Sequence, residues 1–328
     1  MEKHTSGGIG AKAGVDVVRG RNKVTPNADV AIAQFVQQTT QMGVEGLRYE
    51  FAGIKGYVAE NLTCTHFQSP ANESRNRYND VICLDATRVV LKLNVPPETD
   101  YIHANYVRMD GVDRTFIAAQ GPLESTASDF WRMVFQENVE MIVMLCRCEE
   151  NEKVKCFQYW PLEQGTYKNY GQMFVNNKKT EQEDRFITFT LEVLPDGCSN
   201  SNVVKLVQMI DWPDRGIPTS GMAVLRLLKH LPKNKNGGPT VIHCSAGIGR
   251  TGTVLCVETA IARLWKGQPI SMKKIVCELR DRRASMVQTE GQYIFAHFAV
   301  LCYINAKMPK HRNSVMEFYE QFRQAHLN

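Results

Sequence analysis

The residues with the most chemistry to offer lie in one run, Gly238-Pro239-Thr240-Val241-Ile242-His243-Cys244-Ser245-Ala246-Gly247-Ile248-Gly249-Arg250-Thr251-Gly252-Thr253. Cys244 is a nucleophile. Arg250, six positions on, carries a planar fork that can grip two oxygens of a phosphoryl group. Gly238 and Pro239 punctuate the chain, the β-branched Thr240-Val241-Ile242 predict a short buried strand, and helix formers with apolar spacing begin at Thr251. In a strand–loop–helix of this kind, inward backbone N–H groups and the helix N-terminus hold an anion without many side chains. Gly247 and Gly249 let the backbone curl that tightly. Such surroundings also favour a thiolate, lowering a cysteine pKa from about 8.5 to as little as roughly 4. The chemistry implied is attack of Cys244 on a phosphorus whose equatorial oxygens Arg250 holds.

Other readings of the same run stay open at this point. Gly247-x-Gly249-x-x-Gly252 also fits a dinucleotide-binding fingerprint, although it leaves Cys244 and Arg250 without a role, and no second βαβ unit with a ribose-binding acid is evident. Cys244 also reads as a buried structural thiol. Arg250 reads as a helix-start arginine, which the positive helix end disfavours.

His243, Cys244, Gly247, Arg250 and Thr251 together resemble the phosphate-binding loop of protein tyrosine phosphatases, His-Cys-x-x-Gly-x-x-Arg followed by Ser or Thr. The resemblance implies that His243 supports the thiolate through the loop and that the Thr251 hydroxyl helps the sulfur leave. It also implies that Ser245, Ala246, Gly247, Ile248 and Gly249 bind the phosphoryl oxygens. Other stretches are similar to family motifs in family order, over roughly residues 50 to 305. Arg75-Asn76-Arg77-Tyr78-Asn79-Asp80-Val81, on its own a polar surface loop, is similar to the loop that walls the substrate pocket. By that likeness Tyr78 stacks on the phosphotyrosine ring and sets a deep pocket, and Asp80 accepts hydrogen bonds from the substrate backbone. Asn79 is neutral where some relatives are basic. Asp100 to Val107 is similar to the Asp-Tyr-Ile-Asn-Ala strand with His103 in place of asparagine, and His103 is read as structural. Glu150, ahead of Lys155-Cys156-Phe157-Gln158-Tyr159-Trp160-Pro161, is implied to brace Arg250, while the rest of residues 149–153 reads as a solvated turn.

Asp214, in Trp212-Pro213-Asp214-Arg215-Gly216-Ile217-Pro218, alone reads as a turn residue. The resemblance makes it the proton donor on a loop that closes over substrate, with Trp212 and Pro218 near the loop ends and Arg215 departing from the aromatic or histidine common there. Gln288 and Gln292 match the two glutamines of a Gln-Thr-x-x-Gln loop; Gln288 is implied to position the hydrolytic water, with Asp214 now the base. Arg280 and Arg283 recur with the family's spacing.

The elements that must position these residues read as an α/β fold: a twisted mixed β-sheet flanked by helices, with the site at the carboxyl end of the strand entering Cys244. Residues 1–25 read as a mobile basic tail, 26–306 as one catalytic domain with N-terminal helices, and 307–328 as a tail that is helical and packed. Ile32, Phe35 and Val36 predict a helix stopping near Gly43, and Leu47, Phe51, Ile54 and Val58 a second one. Ser125 or Thr126 is expected to cap a helix carrying Phe130, Trp131, Val134 and Phe135 on one face. Met141 to Leu145 predicts a central strand near Val241-Ile242. Residues 185–193 and 203–210 predict a hairpin.

The chain has 328 residues, 43% hydrophobic and 22% charged, enough for one large core. Its +5 charge is mixed rather than clustered, which argues against a nucleic-acid partner and is compatible with phosphorylated proteins. Ten irregularly spaced cysteines and the lack of an apolar leader point to a reducing, cytoplasmic setting. The longest apolar stretch, Phe295 to Ile304, is too short for a membrane span. Cys146-Arg147-Cys148 lacks the companions a zinc site needs, so no metal or organic cofactor is implied. The reading that results is hydrolysis of phosphotyrosine by double displacement. A phosphotyrosine-binding module without turnover, and an enzyme for phosphoserine, phosphothreonine or phospholipid, are the alternatives.

Overall fold

A computed structural model describes residues 25–93, 99–213, 216–232 and 237–326. The expected mobile N-terminal tail falls almost wholly on residues 1–24, outside the described residues; Thr25 caps the first helix through its hydroxyl. In chain order the elements are α1 (Pro26–Ala52), α2 (Thr65–Gln68), β1 (Arg88–Val90), β2 (Tyr101–Val107), β3 (Phe116–Ala119), α3 (Ala127–Gln136) and β4 (Met141–Met144). There follow β5 (Glu149–Glu150), β6 (Lys153–Val154), β7 (Tyr167–Tyr170), β8 (Met173–Gln182), β9 (Phe186–Pro195), β10 (Asn202–Met209) and α4 (Gly221–His230). The last part contains β11 (Thr240–His243), α5 (Gly249–Trp265), α6 (Met272–Arg282), α7 (Glu290–Lys307) and α8 (Arg312–His326).

Nine strands among the described residues form one mixed sheet in the order β1-β2-β3-β11-β4-β10-β9-β8-β7. Its centre is parallel: β11 lies between β3 and β4, with Val241 opposite both Ile117 and Ile142, and β4 continues in parallel to β10. The expected strand at Met141 is thus beside Val241-Ile242, and all four of its residues are buried. Side chains alternate between the two faces, as a pleat requires. Ile117, Ile142 and Val241 join Phe130 and Trp131 of α3 on one side. Ala118, Val143 and Ile242 join the helical layer of α4 to α7 on the other. Because both faces are covered, β3 and β4 are apolar throughout, and β11 sets Val241 and Ile242 between Thr240 and His243. Outer strands β7 to β10 are antiparallel, and the β9–β10 hairpin pairs Leu191 with Val204.

Two local expectations need correction, the end of the second N-terminal helix and the cap of α3. The second N-terminal apolar series ends as helix at Ala52, and Val58 lies outside it, 66% exposed. The first helix does stop at Gly43 (φ 58°), as its spacing predicts, and a second begins at once past the kink, with the Val44 N–H donating to Gln321 Oε1 of α8 at 3.3 Å. Thr126 does take the N-cap position of α3, but its side chain does not cap it: residues 124–126 form a 3₁₀ turn, and the Thr126 hydroxyl bonds back to Leu123. Val315, Phe318 and Phe322 of α8 are buried, with Phe322 stacked on Phe298 at 4.3 Å.

Candidate active site

At the carboxyl end of β11 the chain turns sharply into α5. Gly247 takes φ +73°, and a Cβ there would sit 2.0 Å from the Ala119 carbonyl oxygen, so only glycine fits. Cys244, buried at 5% exposure, receives the Gly247 N–H on its sulfur at 3.2 Å.

Arg283, fully buried, holds this loop from behind. Its Nε donates to the Gly247 carbonyl at 2.8 Å and its Nη2 to that of Ala246 at 2.9 Å, while Nη1 donates to Asn105 Oδ1 at 2.8 Å. With those carbonyls turned outward, the amides of the following residues turn inward, which is what an anion cradle needs. Arg283 Nη2 also lies 3.1 Å from His103 Nδ1. An arginine only donates, so His103 Nδ1 accepts and its Nε2–H donates to the Val81 carbonyl at 2.7 Å. Burial, reinforced by the Arg283 charge, pushes His103 down to about 3, so it is neutral. The histidine that departs from the family's asparagine therefore has a full set of partners.

Arg250, in the first turn of α5, is oriented by a carboxylate. Its Nη1 and Nη2 meet Glu150 Oε1 and Oε2 at 2.7 Å each, and Nη1 also donates to the Leu145 carbonyl at 2.8 Å. Burial opposes the Arg250 charge, and Glu150 more than compensates, raising its pKa further. Glu150 is presented by the β5–β6 hairpin, whose turn residues Asn151 and Glu152 both have positive φ, as a tight hairpin turn demands.

His243 is enclosed and held near pKa 4 by burial. Its Nδ1 lies 3.1 Å from the Cys244 carbonyl, which can only accept, so Nδ1 carries the proton and the Tyr159 hydroxyl donates to Nε2 at 2.7 Å. This chain fixes the peptide unit that carries Cys244. The Thr251 hydroxyl is buried and has no hydrogen-bond partner among the described residues.

One wall is built from the Arg75 to Val81 loop. Ser245 Oγ donates to the Lys155 carbonyl at 2.8 Å, leaving its lone pair for the Tyr78 hydroxyl, also at 2.8 Å. Arg77 donates to the Gly121 and Pro122 carbonyls, and Gln120 clasps Arg77 N–H and the Arg75 carbonyl. Buried Asp129 pairs with both Arg75 and Arg132, anchoring the loop to α3. Asp80 is exposed.

Gln292 belongs to a capping box at the start of α7: its Oε1 accepts from Gln288 N–H and Thr289 N–H, and the Thr289 hydroxyl accepts from Gln292 N–H. A Cβ on Gly249 would sit 2.8 Å from Gln292 Nε2 and 3.2 Å from Gln288 Oε1, so both amides reach the loop between Cys244 and Arg250. Gln288 itself is exposed. Trp212 is buried against Phe295, and its indole N–H donates to the Gly216 carbonyl at 3.2 Å, four residues further along that loop. Asp214 and Arg215 lie outside the described residues.

Cys244, His243, Arg250, Thr251, Glu150, Ser245, Tyr78, Gln288 and Gln292 therefore gather around one loop. Arg283, Asn105 and Tyr159 hold it without having been singled out as site residues. The signal for Tyr159 was its place in the Lys155-to-Pro161 motif; for Arg283 it was only the recurrence of two arginines ahead of Met286.

A sequence model of the protein-tyrosine phosphatase family matches residues 72–302. The chain is 39% identical over 247 residues to human tyrosine-protein phosphatase non-receptor type 4, covering 73% of this chain and 26% of that protein. It is 38% identical over 236 residues to human tyrosine-protein phosphatase non-receptor type 20, covering 71% and 55%. A Lar-like tyrosine-protein phosphatase of Caenorhabditis elegans is 39% identical over 282 residues, covering 84% of this chain and 12% of that protein. The chain thus spans from about an eighth to just over half of the length of these curated relatives. Among the described residues no helix is long and apolar enough to cross a membrane.

Proposed function

Since this chain belongs to the protein-tyrosine phosphatase family, we propose that it hydrolyses phosphotyrosine in proteins through a cysteinyl-phosphate intermediate. The observation that carries the proposal is the meeting of two features: the Cys244 sulfur under an inward Gly247 N–H at the mouth of α5, and an Arg250 guanidinium clamped by Glu150. In this reading Cys244 attacks phosphorus in line with the departing phenolate. The Arg250 fork and the amides from Ser245 to Gly249 take up the charge that develops on the equatorial oxygens. Asp214 gives the phenolate its proton. Water then displaces the sulfur, with Gln288 placing the water, Asp214 receiving its proton, and the otherwise unpartnered Thr251 hydroxyl stabilising the departing thiolate.

Tyr78 supplies selectivity. Its hydroxyl is fixed on Ser245, so its ring stands as a wall whose depth suits an aryl phosphate and holds the shorter phosphoserine away from Cys244. Asp80, exposed, meets the substrate backbone. The free state of all ten cysteines supports a reducing, cytoplasmic setting. The test is a comparison of kcat/KM on matched phosphotyrosine and phosphoserine peptides for the wild type and Tyr78→Ala. A large phosphotyrosine preference that narrows in the variant is expected; equal rates for the two wild-type substrates would overturn the selectivity.

A further inference from the structure

Two thiols that take no part in this chemistry face each other at the base of the Glu150 hairpin. Cys148 precedes β5 and Cys156 follows β6. The Cys148 carbonyl accepts from Lys155 N–H at 2.8 Å and from Cys156 N–H at 3.2 Å, so the two cysteines are paired across the hairpin. The shared acceptor is the pattern of a β-bulge, in which two residues, here Lys155 and Cys156, stand opposite one, here Cys148. Opposed residues of neighbouring antiparallel strands lie roughly 4.5–5.5 Å apart at Cα, within the window of about 4.4–6.8 Å that disulfides occupy.

The two sulfurs are not equivalent. Cys148 is half-buried and reachable from solvent, whereas Cys156 is buried. The Cys156 thiol lies against the Cys148 sulfur and lowers its pKa, with burial opposing and the Arg77 charge assisting. Burial, with the Cys148 contact adding to it, pushes Cys156 well up. The accessible sulfur is therefore the better thiolate, and the enclosed one is poised behind it.

We propose that Cys148 and Cys156 form an oxidative modification site, at which a hydroperoxide closes a reversible disulfide across the base of the hairpin that presents Glu150. The Cys148 thiolate attacks the peroxide, the O–O bond breaks, and Cys148 becomes a sulfenic acid while the departing oxygen leaves as water or an alcohol. Cys156 loses its proton and attacks the Cys148 sulfur; the S–O bond breaks and the hydroxyl leaves as water. Two thiols give up two electrons and the hydroperoxide takes them.

The bond would reach the active site through two existing contacts. Glu150 lies inside the ring that the disulfide closes, and the Lys155 carbonyl, next to Cys156, receives the Ser245 hydroxyl. The sulfurs now lie toward Gln158 Oε1 and the Phe157 carbonyl, at 3.4 and 3.3 Å, and drawing them together shifts the hairpin base. Arg250 and Ser245 lose part of their alignment, and turnover falls without being abolished. This consequence for turnover rests on the phosphatase reading; the covalent step does not.

The site is tested first in Cys244→Ser, which removes the competing thiol. After hydrogen peroxide and alkylation, mass spectrometry is expected to find a peptide pair joined through Cys148 and Cys156, reduced by dithiothreitol and missing when Cys148→Ser is added. Alkylation of both cysteines as free thiols, or pairing of either one with a different cysteine, overturns the proposal. In a second arm, wild type and Cys148→Ser are oxidised with inorganic phosphate shielding Cys244, and then assayed with an aryl phosphate. A several-fold fall in kcat, restored by dithiothreitol and absent in Cys148→Ser, is expected. A crosslink that leaves kcat unchanged overturns the coupling to Glu150. An untreated wild type with no turnover refutes the phosphatase reading and leaves the crosslink to be judged by mass alone.

Discussion

Replacing Glu150 isolates what a carboxylate contributes by holding Arg250 still. The pair is bidentate, with both contacts at 2.7 Å and side chains only 10% and 7% exposed. Charges about 4 Å apart attract by about 4 kcal/mol at an effective dielectric near 20. Desolvation cancels much of that, so the net worth of the pair is smaller than the attraction. Removing one partner is different, because it strands the other charge, at roughly 3–5 kcal/mol for a buried pair. Arg250 keeps the Leu145 carbonyl, so the lower end of that range applies to Glu150→Ala. Glu150→Gln retains the shape and one acceptor and should lose about 1.5–3 kcal/mol, the worth of a hydrogen bond to a charged group. The effect on turnover follows from orientation. Loss of one oxyanion donor costs about 10²–10³ in kcat, and a loosened Arg250 should approach the lower figure. Urea unfolding supplies the stability change, and steady-state kinetics with an aryl phosphate supplies kcat. Glu150→Ala with wild-type kcat and an unmoved urea midpoint would refute the claim that this carboxylate sets Arg250.

Three further outcomes follow from the same geometry. Burial holds His297 near pKa 4, below its unfolded value of about 6.5, so between those limits the unfolded chain binds the proton that the folded chain refuses. Stability is complete above pH 6.5 and falls toward pH 4 by up to about 1.4 kcal/mol per pH unit per histidine. His297→Gln should flatten that slope in urea midpoints, and an identical slope would contradict the assignment. Arg283→Met strips hydrogen bonds from the Ala246 and Gly247 carbonyls, Asn105 and His103, each buried group costing about 1–3 kcal/mol. A large drop in urea midpoint with loss of phosphate binding by calorimetry is expected; a wild-type midpoint would show that the loop stands without it. Tyr78→Phe keeps the ring and removes the bond to Ser245, so kcat/KM should fall by about fivefold, equivalent to about 1 kcal/mol; no change would mean the wall does not depend on that bond.

The phosphate loop was legible because its determinants are local. Gly247 marks the one place where the turn demands positive φ and close approach to Ala119, and Cys244 and Arg250 flank it in the same short run. Strand β4 was legible because burial on both faces leaves no polar alternation. The rest depends on contacts between distant residues. The break at Gly43 and the helical series after it are local, but the partner of the Val44 N–H, Gln321, 277 residues away, is invisible in the local sequence. Arg283, just past the end of α6, has the composition of a solvated helix terminus; its carbonyl partners at 246 and 247 come from another part of the chain. Strands β7 and β8 carry polar residues through most of their length, and buried Asn177 satisfies the Pro161 and Leu162 carbonyls, so neither shows clean alternation. His103 breaks a motif by residue type, and which tautomer it takes is set by Arg283 and Val81, remote from it in sequence.

The most direct test of the central claim is rapid-quench analysis of the wild type and Cys244→Ser with an aryl phosphate. The account predicts a burst of phenol matched by phosphate covalently bound to Cys244, and neither burst nor adduct in Cys244→Ser. Turnover without sulfur-bound phosphate, or turnover that survives Cys244→Ser, would contradict it.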